Sequence, residues 1–299
     1  MQTAPAAFDR SAEDIGNSVL LEHVNLRVPE QHTATIFYVM GLGLTREPYL
    51  VAGVDNMWIN VGRNQFHLGP HGPPQVLRGV TGLVAPDRAG LLRRLTAVRE
   101  RLSGTRFEFR EADDCVEVTC PWGNRMRCHA PDAQRFGRIL LGLPYVEFDV
   151  PDGTLEGIVR FYRAALRVRA AIGEDATGRH ARVAIGHEQS LVFRETDRPQ
   201  PDYDGHHIQI YLHDFSGPHG WLRERGLIVE ESNRWQYRFN DLVDPDDGRV
   251  LFTVEHEVRS MTHPLFGRAL VNRDPDQSNR AYAPGHDSAQ WCMPPDRSR

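Results

Sequence analysis

Any acid–base or metal chemistry in this chain has to come from imidazole, carboxyl, phenol or thiol groups. All 35 of its Lys plus Arg residues are arginine, and a guanidinium does not give up its proton in a protein. A lysine Schiff base, a lysine general base and a phosphate-loop lysine are thereby excluded. No Gly-x-Gly-x-x-Gly, phosphate-loop or Gly-x-Ser-x-Gly pattern occurs, which sets aside dinucleotide, nucleotide and serine-hydrolase chemistry. Glu255-His-Glu257 suggests a metalloprotease to the eye but lacks the His-Glu-x-x-His spacing that puts two imidazoles on one helix face. Cys115, Cys120, Cys128 and Cys292 form no Cys-x-x-Cys pair. They read as small, partly buried apolar side chains in a reducing compartment. The remaining resource is 14 histidines and 40 acidic residues, the side chains of metal binding and proton transfer.

The elements that must position them repeat. Strand-like segments begin at His23 (HVNLRV), Val80 (VTGLVA), Tyr145 (YVEFDV) and His207 (HIQIYL), spaced 57, 65 and 62 residues apart. The first three run straight into Pro29, Pro86 and Pro151, which stop a strand and lead into a helix. Helical stretches following the first and third segments share a Phe-Tyr pair (Phe37-Tyr38, Phe161-Tyr162). The second and fourth units share tight turns near their ends, Cys120-Pro-Trp-Gly-Asn124 and Asp244-Pro-Asp-Asp-Gly248. Odd units thus resemble odd, and even resemble even, over residues 18–258. Strand alternation puts Val24, Leu26, Val28, Ile208, Ile210 and Leu212 on the helix-facing side. The opposite face carries His23, Asn25 and Arg27, or His207, Gln209 and Tyr211. Such a polar row suits a strand whose second face lines a solvent-filled cleft.

Four strand–helix–three-strand units in this order resemble the vicinal oxygen chelate superfamily, which includes glyoxalase I, extradiol dioxygenases and bleomycin or fosfomycin resistance proteins. The segment His23-Val-Asn-Leu-Arg-Val, Phe37-Tyr38, Leu42-Gly-Leu44, Phe161-Tyr162 and the two turns carry the likeness. It implies an α+β fold of four βαβββ units, forming two tandem domains (18–135 and 136–258) whose mixed sheets curl around clefts. Residues 1–17 would be an extension, and 259–299 an extended tail whose apolar Pro264-Leu-Phe266 and Ala269-Leu-Val271 clusters dock in their first half. The resemblance also implies that metal ligands sit on the first and last strand of each unit. Those slots hold His23 and His67 in unit one, and Val80 and Arg127 in unit two. Tyr145 and Leu191 fill them in unit three, and His207 with Leu251 or Phe252 in unit four. If units one and four pair, one cleft collects His23, His67 and His207 and the other is metal-free; if each half closes on itself, the histidines are divided. A carboxylate is missing from the last slot, and Glu255 or His256 reaches inward only through a bulge or register shift.

The implied activity is that of a metal-dependent enzyme acting on a small oxygenated organic substrate. An Fe(II) oxygenase comes first, a glyoxalase-type lyase or isomerase second, and a metal-free binding or resistance protein third. Fe(II) is the expected metal, with Zn, Mn, Ni and Co as alternatives. Glu255 and Tyr211 are the candidate catalytic groups. Arg27, Asn25, Gln209, Trp235 and Tyr237 are the candidate substrate contacts, Trp235 and Tyr237 being placed on a strand of unit four. Tyr145 is expected to plug the second cleft, and His71, His180, His187, His213 and His219 to lie at the surface. A net charge of −5 without a basic run argues against nucleic acid. The longest apolar runs are too short for a membrane span. The polar, acidic start MQTAPAAFDRSAED shows no secretory signal, so a cytoplasmic location is expected. A small molecule is the expected partner, and a homodimer is left open.

Overall fold

The computed structural model describes residues 10–50 and 56–280; Cys292 and the far end of the tail lie outside them. Unit one comprises β1 (Ser18–Arg27), α1 (Gln31–Ala34, continued by a π-helical turn Thr35–Gly41), β2 (Thr45–Arg46), β3 (Met57–Val61) and β4 (Asn64–Gly69). Unit two comprises β5 (Gly79–Val84), α2 (Arg88–Val98), β6 (Glu108–Glu111), β7 (Cys115–Thr119) and β8 (Arg125–His129). A short α3 (Ala133–Phe136) leads to unit three. That unit holds β9 (Tyr145–Pro151), α4 (Leu155–Phe161, continued by a π-helical turn Tyr162–Leu166), β10 (Ala170–Asp175), β11 (Gly178–Gly186) and β12 (Gln189–Thr196). Unit four is β13 (His207–Leu212), α5 (Ser216–Glu224), β14 (Ile228–Asn233), β15 (Gln236–Val243) and β16 (Val250–Ser260). In units one to three the helix follows its strand within a few residues, where proline has removed a ladder donor. After Pro29, the Glu30 carboxylate accepts from the His32 and Thr33 amides at 2.6 Å, capping the two N–H groups that lack helical partners.

The strands form two eight-stranded sheets, ordered β14-β15-β16-β13-β1-β4-β3-β2 and β10-β11-β12-β9-β5-β8-β7-β6. Unit one therefore pairs with unit four, and unit two with unit three. The halves 18–135 and 136–258 do not each close a sheet of their own; each contributes one unit to both. The central joints are antiparallel, β1 against β13 and β5 against β9. Within each unit the first strand runs parallel to the last.

One apolar core fills the space between the sheets. Phe37, Tyr38, Phe161 and Tyr162 are all fully buried, so the repeated Phe-Tyr signature is a packing signature. Phe252 of unit four packs on Phe148 and Phe193 of unit three, tying the two sheets through aromatic contacts. Polar bridges finish the joint. Gln189 receives the Leu21 amide and donates to the Leu21 and Leu143 carbonyls. Cys115, Cys120 and Cys128 are free and buried, as their lack of pairing implied. No helix among the described residues is long and apolar enough to cross a membrane.

Candidate metal centre

On the joint between β1 and β13 the polar row of each strand turns away from the helices. The register is Asn25 opposite His207 and His23 opposite Gln209, then slips between His23 and Leu21, where a bulge intervenes. Two residues of a bulged strand face one residue of its neighbour, so Glu22 and His23 come to the same side. Their side chains meet, with His23 Nδ1 3.3 Å from Glu22 Oε2. Across the joint, β16 runs parallel to β13 with His207 beside Glu255 and Gln209 beside Glu257. Thr253, Glu255, Glu257 and Arg259 alternate with the buried Phe252, Val254, His256 and Val258. Glu255 and Glu257 share the face of His207 and Gln209, because the last strand continues to Ser260 rather than ending near residue 252. Against β15 the register shifts between the pairs Asp241–Thr253 and Phe239–His256, so an irregularity of the expected kind lies beside Glu255. His256 points the other way, bonded to the Tyr162 hydroxyl at 2.7 Å and stacked on Phe239.

One group of potential ligands emerges among the described residues. Donor atoms of His23, His207 and Glu257 all lie within 4.8 Å of one another, and all three residues are buried. Both imidazoles are held alike. His207 Nδ1 lies 3.1 Å from Glu255 Oε1, as His23 Nδ1 lies beside Glu22. Nε2 of each ring is buried without a hydrogen-bond partner. Carboxylates that grip one imidazole nitrogen orient the other toward a metal, and a buried orphan nitrogen is costly unless something occupies it. Metal–ligand bonds of about 2.0–2.2 Å span at most about 4.4 Å, so a group within 4.8 Å closes round one ion with small shifts. The residues fit a divalent metal.

Electrostatics favour the same occupant. Arg238 bonds Glu257 at 2.6 Å and Glu255 at 2.7 Å. Arg259 reaches the other Glu257 oxygen at 2.6 Å and Glu22 at 3.2 Å. A carboxylate has about four lone-pair sites, so these contacts leave Glu257 able to ligate. Burial alone would raise the Glu257 pKa, but the His207 contact and the charges around it, Arg259 among them, hold the carboxyl well below its usual range. Glu22 is likewise held low against its burial, by the His23 bond and Arg259. Burial pushes the His23 pKa down despite Glu22, leaving the neutral imidazole a metal requires. Three carboxyl groups face two guanidiniums here, a balance suited to a cation.

His67, expected as a ligand, sits beside this group but stands outside it. Its ring is 5.7 Å from that of His23 and lies flat on Trp58 at 3.8 Å. Asn25 Nδ2 donates to its Nδ1 at 2.6 Å, and its Nε2 meets Asn56 Oδ1 at 2.7 Å. Both nitrogens are thus engaged, and burial with the neighbouring His23 and His207 brings its pKa to about 2. Asn25 therefore orients an imidazole and is not free for substrate. Gln209 is buried in the row, its amide donating to the Ile210 carbonyl and its Oε1 unpaired. Tyr211 is buried next along, 3.4 Å from Glu22 Oε1, its pKa raised by burial and by Glu22. Glu255 borders the centre, still one-sixth exposed at 18%.

Three expected substrate contacts lie elsewhere. Tyr237 faces α5, packed on Phe215 and His219, because Gln236 and Arg238 are the members of β15 that take the cleft side. Trp235 lies in the turn between β14 and β15, not on a strand, its ring covered by the Arg234 guanidinium at 4.4 Å and edge-on to His263 at 6.4 Å. Arg27 sits further along β1, its guanidinium against the loop at Gly72. His180, expected at the surface, is buried. Glu257 was met in the sequence only within the Glu255-His-Glu257 segment, not as a ligand, and Glu22 was not singled out. Alternation carried two residues beyond Glu255 would have found Glu257, whereas no local signal marks the bulge that turns Glu22 inward.

The tail closes over this end of the molecule. Asn272 bonds both the amide and carbonyl of Gly62, at 2.9 and 2.7 Å. Arg268 reaches the fully buried Glu47 carboxylate at 3.1 Å and Gln65 at 2.7 Å. Phe266 covers Tyr211 edge-on at 4.9 Å.

No protein-family model matches the chain, and no curated protein matches it by sequence. Solved structures do. Glyoxalase I from Zea mays superposes with a TM-score of 0.55 at 15% identity, over 82% of this chain and 93% of that one. A mutant of the same enzyme gives 0.56 at 14% identity, over 82% and 93%. A protein from Bacillus subtilis subsp. subtilis str. 168, whose dioxygenase assignment is itself provisional, gives 0.55 at 14% identity, over 83% and 86%. The chain shares the fold of these proteins: α+β, with two eight-stranded mixed sheets.

Proposed function

We propose that the chain is a metal-dependent enzyme acting on a small oxygenated organic substrate, with an Fe(II)-dependent oxygenase as the first reading. One observation carries it. Two buried imidazoles, each with Nδ1 held by a carboxylate and Nε2 unpartnered, converge with Glu257. Two histidines and one carboxylate are the donor set of non-haem Fe(II) oxygenases. An ion held there would supply Lewis-acid stabilisation of an oxygen anion and leave coordination positions for substrate.

The chain's own residues have the remaining work. Glu22 and Glu255 fix the two rings; Arg238 and Arg259 fix Glu257. Gln209 Oε1 is placed to accept a hydrogen bond from a substrate hydroxyl. Glu255, partly exposed and outside the donor group, is the carboxylate available to take a proton. That last feature also favours a second reading, a glyoxalase-type lyase, in keeping with the fold shared with glyoxalase I from Zea mays. The test is dioxygen uptake by Fe(II)-loaded protein against a panel of catechols and 2-oxo acids. Metal-dependent uptake abolished by Glu257→Ala supports the oxygenase. Turnover of a hemithioacetal without dioxygen, retained with Zn, Mn, Ni or Co, would replace it by the lyase. A metal-free protein that binds substrate without turnover would remove both.

A further inference from the structure

The second sheet encloses a cleft of its own, about 630 Å3 in volume, lined by strands from units two and three. That size falls in the range of small-molecule sites. Its deep end is built with care. The Tyr145 ring lies over Gly82, where a Cβ would come within 2.4 Å of it, so only glycine admits the ring. The Tyr145 hydroxyl meets His129 Nε2 at 2.9 Å, and His129 Nδ1 approaches the Asp114 carbonyl at 3.3 Å. With Nδ1 donating to that carbonyl, Nε2 accepts from the tyrosine, and the Asp114 carboxylate at this end is paired with Arg135 at 3.1 Å. Along the wall, Glu147 is held by Arg127 at 3.1 Å and Arg194 at 2.8 Å, and Arg194 also grips Asp175. These charges satisfy one another and need no ligand.

Arg182 is different. It projects from β11 at the rim, with one nitrogen 2.8 Å from Ser190 Oγ, and among the described residues no carboxylate pairs with it. The rim continues into an adjoining open groove of about 850 Å3, where Arg163 and Arg169 join Arg182. Both are exposed. Glu188 is the acidic residue lining that groove, and its carboxylate accepts the Arg138 amide at 2.9 Å. The mouth is therefore positive, while inside it Asp114 is paired with Arg135 at 3.1 Å and Glu117 with Arg110 at 2.5 Å, beside apolar Val192, Phe136 and Pro144. A guanidinium binds carboxylate in a forked, two-bond geometry, and a focused positive rim raises the local concentration of anions.

We infer that this second cleft is a binding site for a small organic carboxylate, its carboxylate on Arg182 and its apolar body against Val192. The inference does not depend on the metal centre in the other sheet. Calorimetric titration of the full chain with benzoate, at low ionic strength, tests it, with inorganic phosphate as the comparison ion. Saturable binding of one benzoate is expected, weakened at least about tenfold by Arg182→Ala, the scale of a lost charge-assisted hydrogen bond. Val192→Trp, which fills the cleft without changing charge, should block it. The His23→Ala, His207→Ala double variant should bind benzoate as the parent does. Absence of saturable binding, binding indifferent to Arg182→Ala and Val192→Trp, loss in the double histidine variant, or phosphate binding as tightly as benzoate would each overturn the inference.

Discussion

His23 and His207 come from opposite ends of the chain yet carry the same pattern: a carboxylate on Nδ1 and an Nε2 without a hydrogen bond. At this scale the consequences are chemical. Glu255→Gln keeps a hydrogen-bond acceptor beside His207 but removes the charge, and metal affinity should fall about 10–100-fold, as for other outer-shell partners. Competition titration against a chelator of known affinity measures it; an unchanged affinity would mean Glu255 does not orient the ring. The two histidines were legible because each heads a strand whose alternate residues are apolar. The carboxylate was not, since the last strand was expected to end near Phe252, eight residues short of Ser260. His67 was legible by position, but the engagement of its ring was not. Only the side chains of Asn25 and Asn56, brought in by folding, occupy its two nitrogens.

Elements decide which of these groups can meet. The bulge in β1 turns Glu22 beside His23, and the long β16 supplies Glu257 with its two arginines. The tail acts as an element too, since Arg268 neutralises Glu47, whose side chain is fully buried, while itself remaining 20% exposed. Arg268→Ala should cost about 3 kcal/mol, the low end for breaking a buried ion pair, because the arginine is partly solvated. Urea denaturation reads this as a lower midpoint at unchanged slope; an unchanged midpoint would show the tail to be an ornament. On the core face of β16, burial brings the His256 pKa from 6.5 down to about 4. The unfolded chain therefore binds a proton that the folded chain refuses between these values, and stability rises with pH across that window. His256's contribution is complete above pH 6.5 and lost as pH falls toward 4, on the order of 3 kcal/mol in all. His256→Phe should flatten the dependence of urea midpoints between pH 7 and 5. An equally steep dependence in the variant would place its origin in other groups.

At the scale of the whole molecule, each half of the chain supplies one unit to each sheet. The repeat of four units could be read from recurring segments, because strand alternation and Phe-Tyr pairs are local patterns. Which units pair could not, since pairing depends on edges that meet only in the folded chain. The exposed segment at Asp132 lies between the halves, and a protease site inserted between Pro131 and Asp132 should be cut without separating the fragments. Gel filtration after cleavage is expected to show one particle at the mass of the intact chain; two independently folded fragments would contradict the shared sheets. Because His23 comes from one half while His207 and Glu257 come from the other, that architecture is also what brings the candidate donor set together. Metal content after anaerobic purification and Fe(II) loading is thus the most direct measurement. One Fe per chain is expected in the parent and in His67→Ala, with less than a tenth of that in the His23→Ala, His207→Ala double variant. Stoichiometric metal in the double variant, or none in a folded parent, would contradict the centre described.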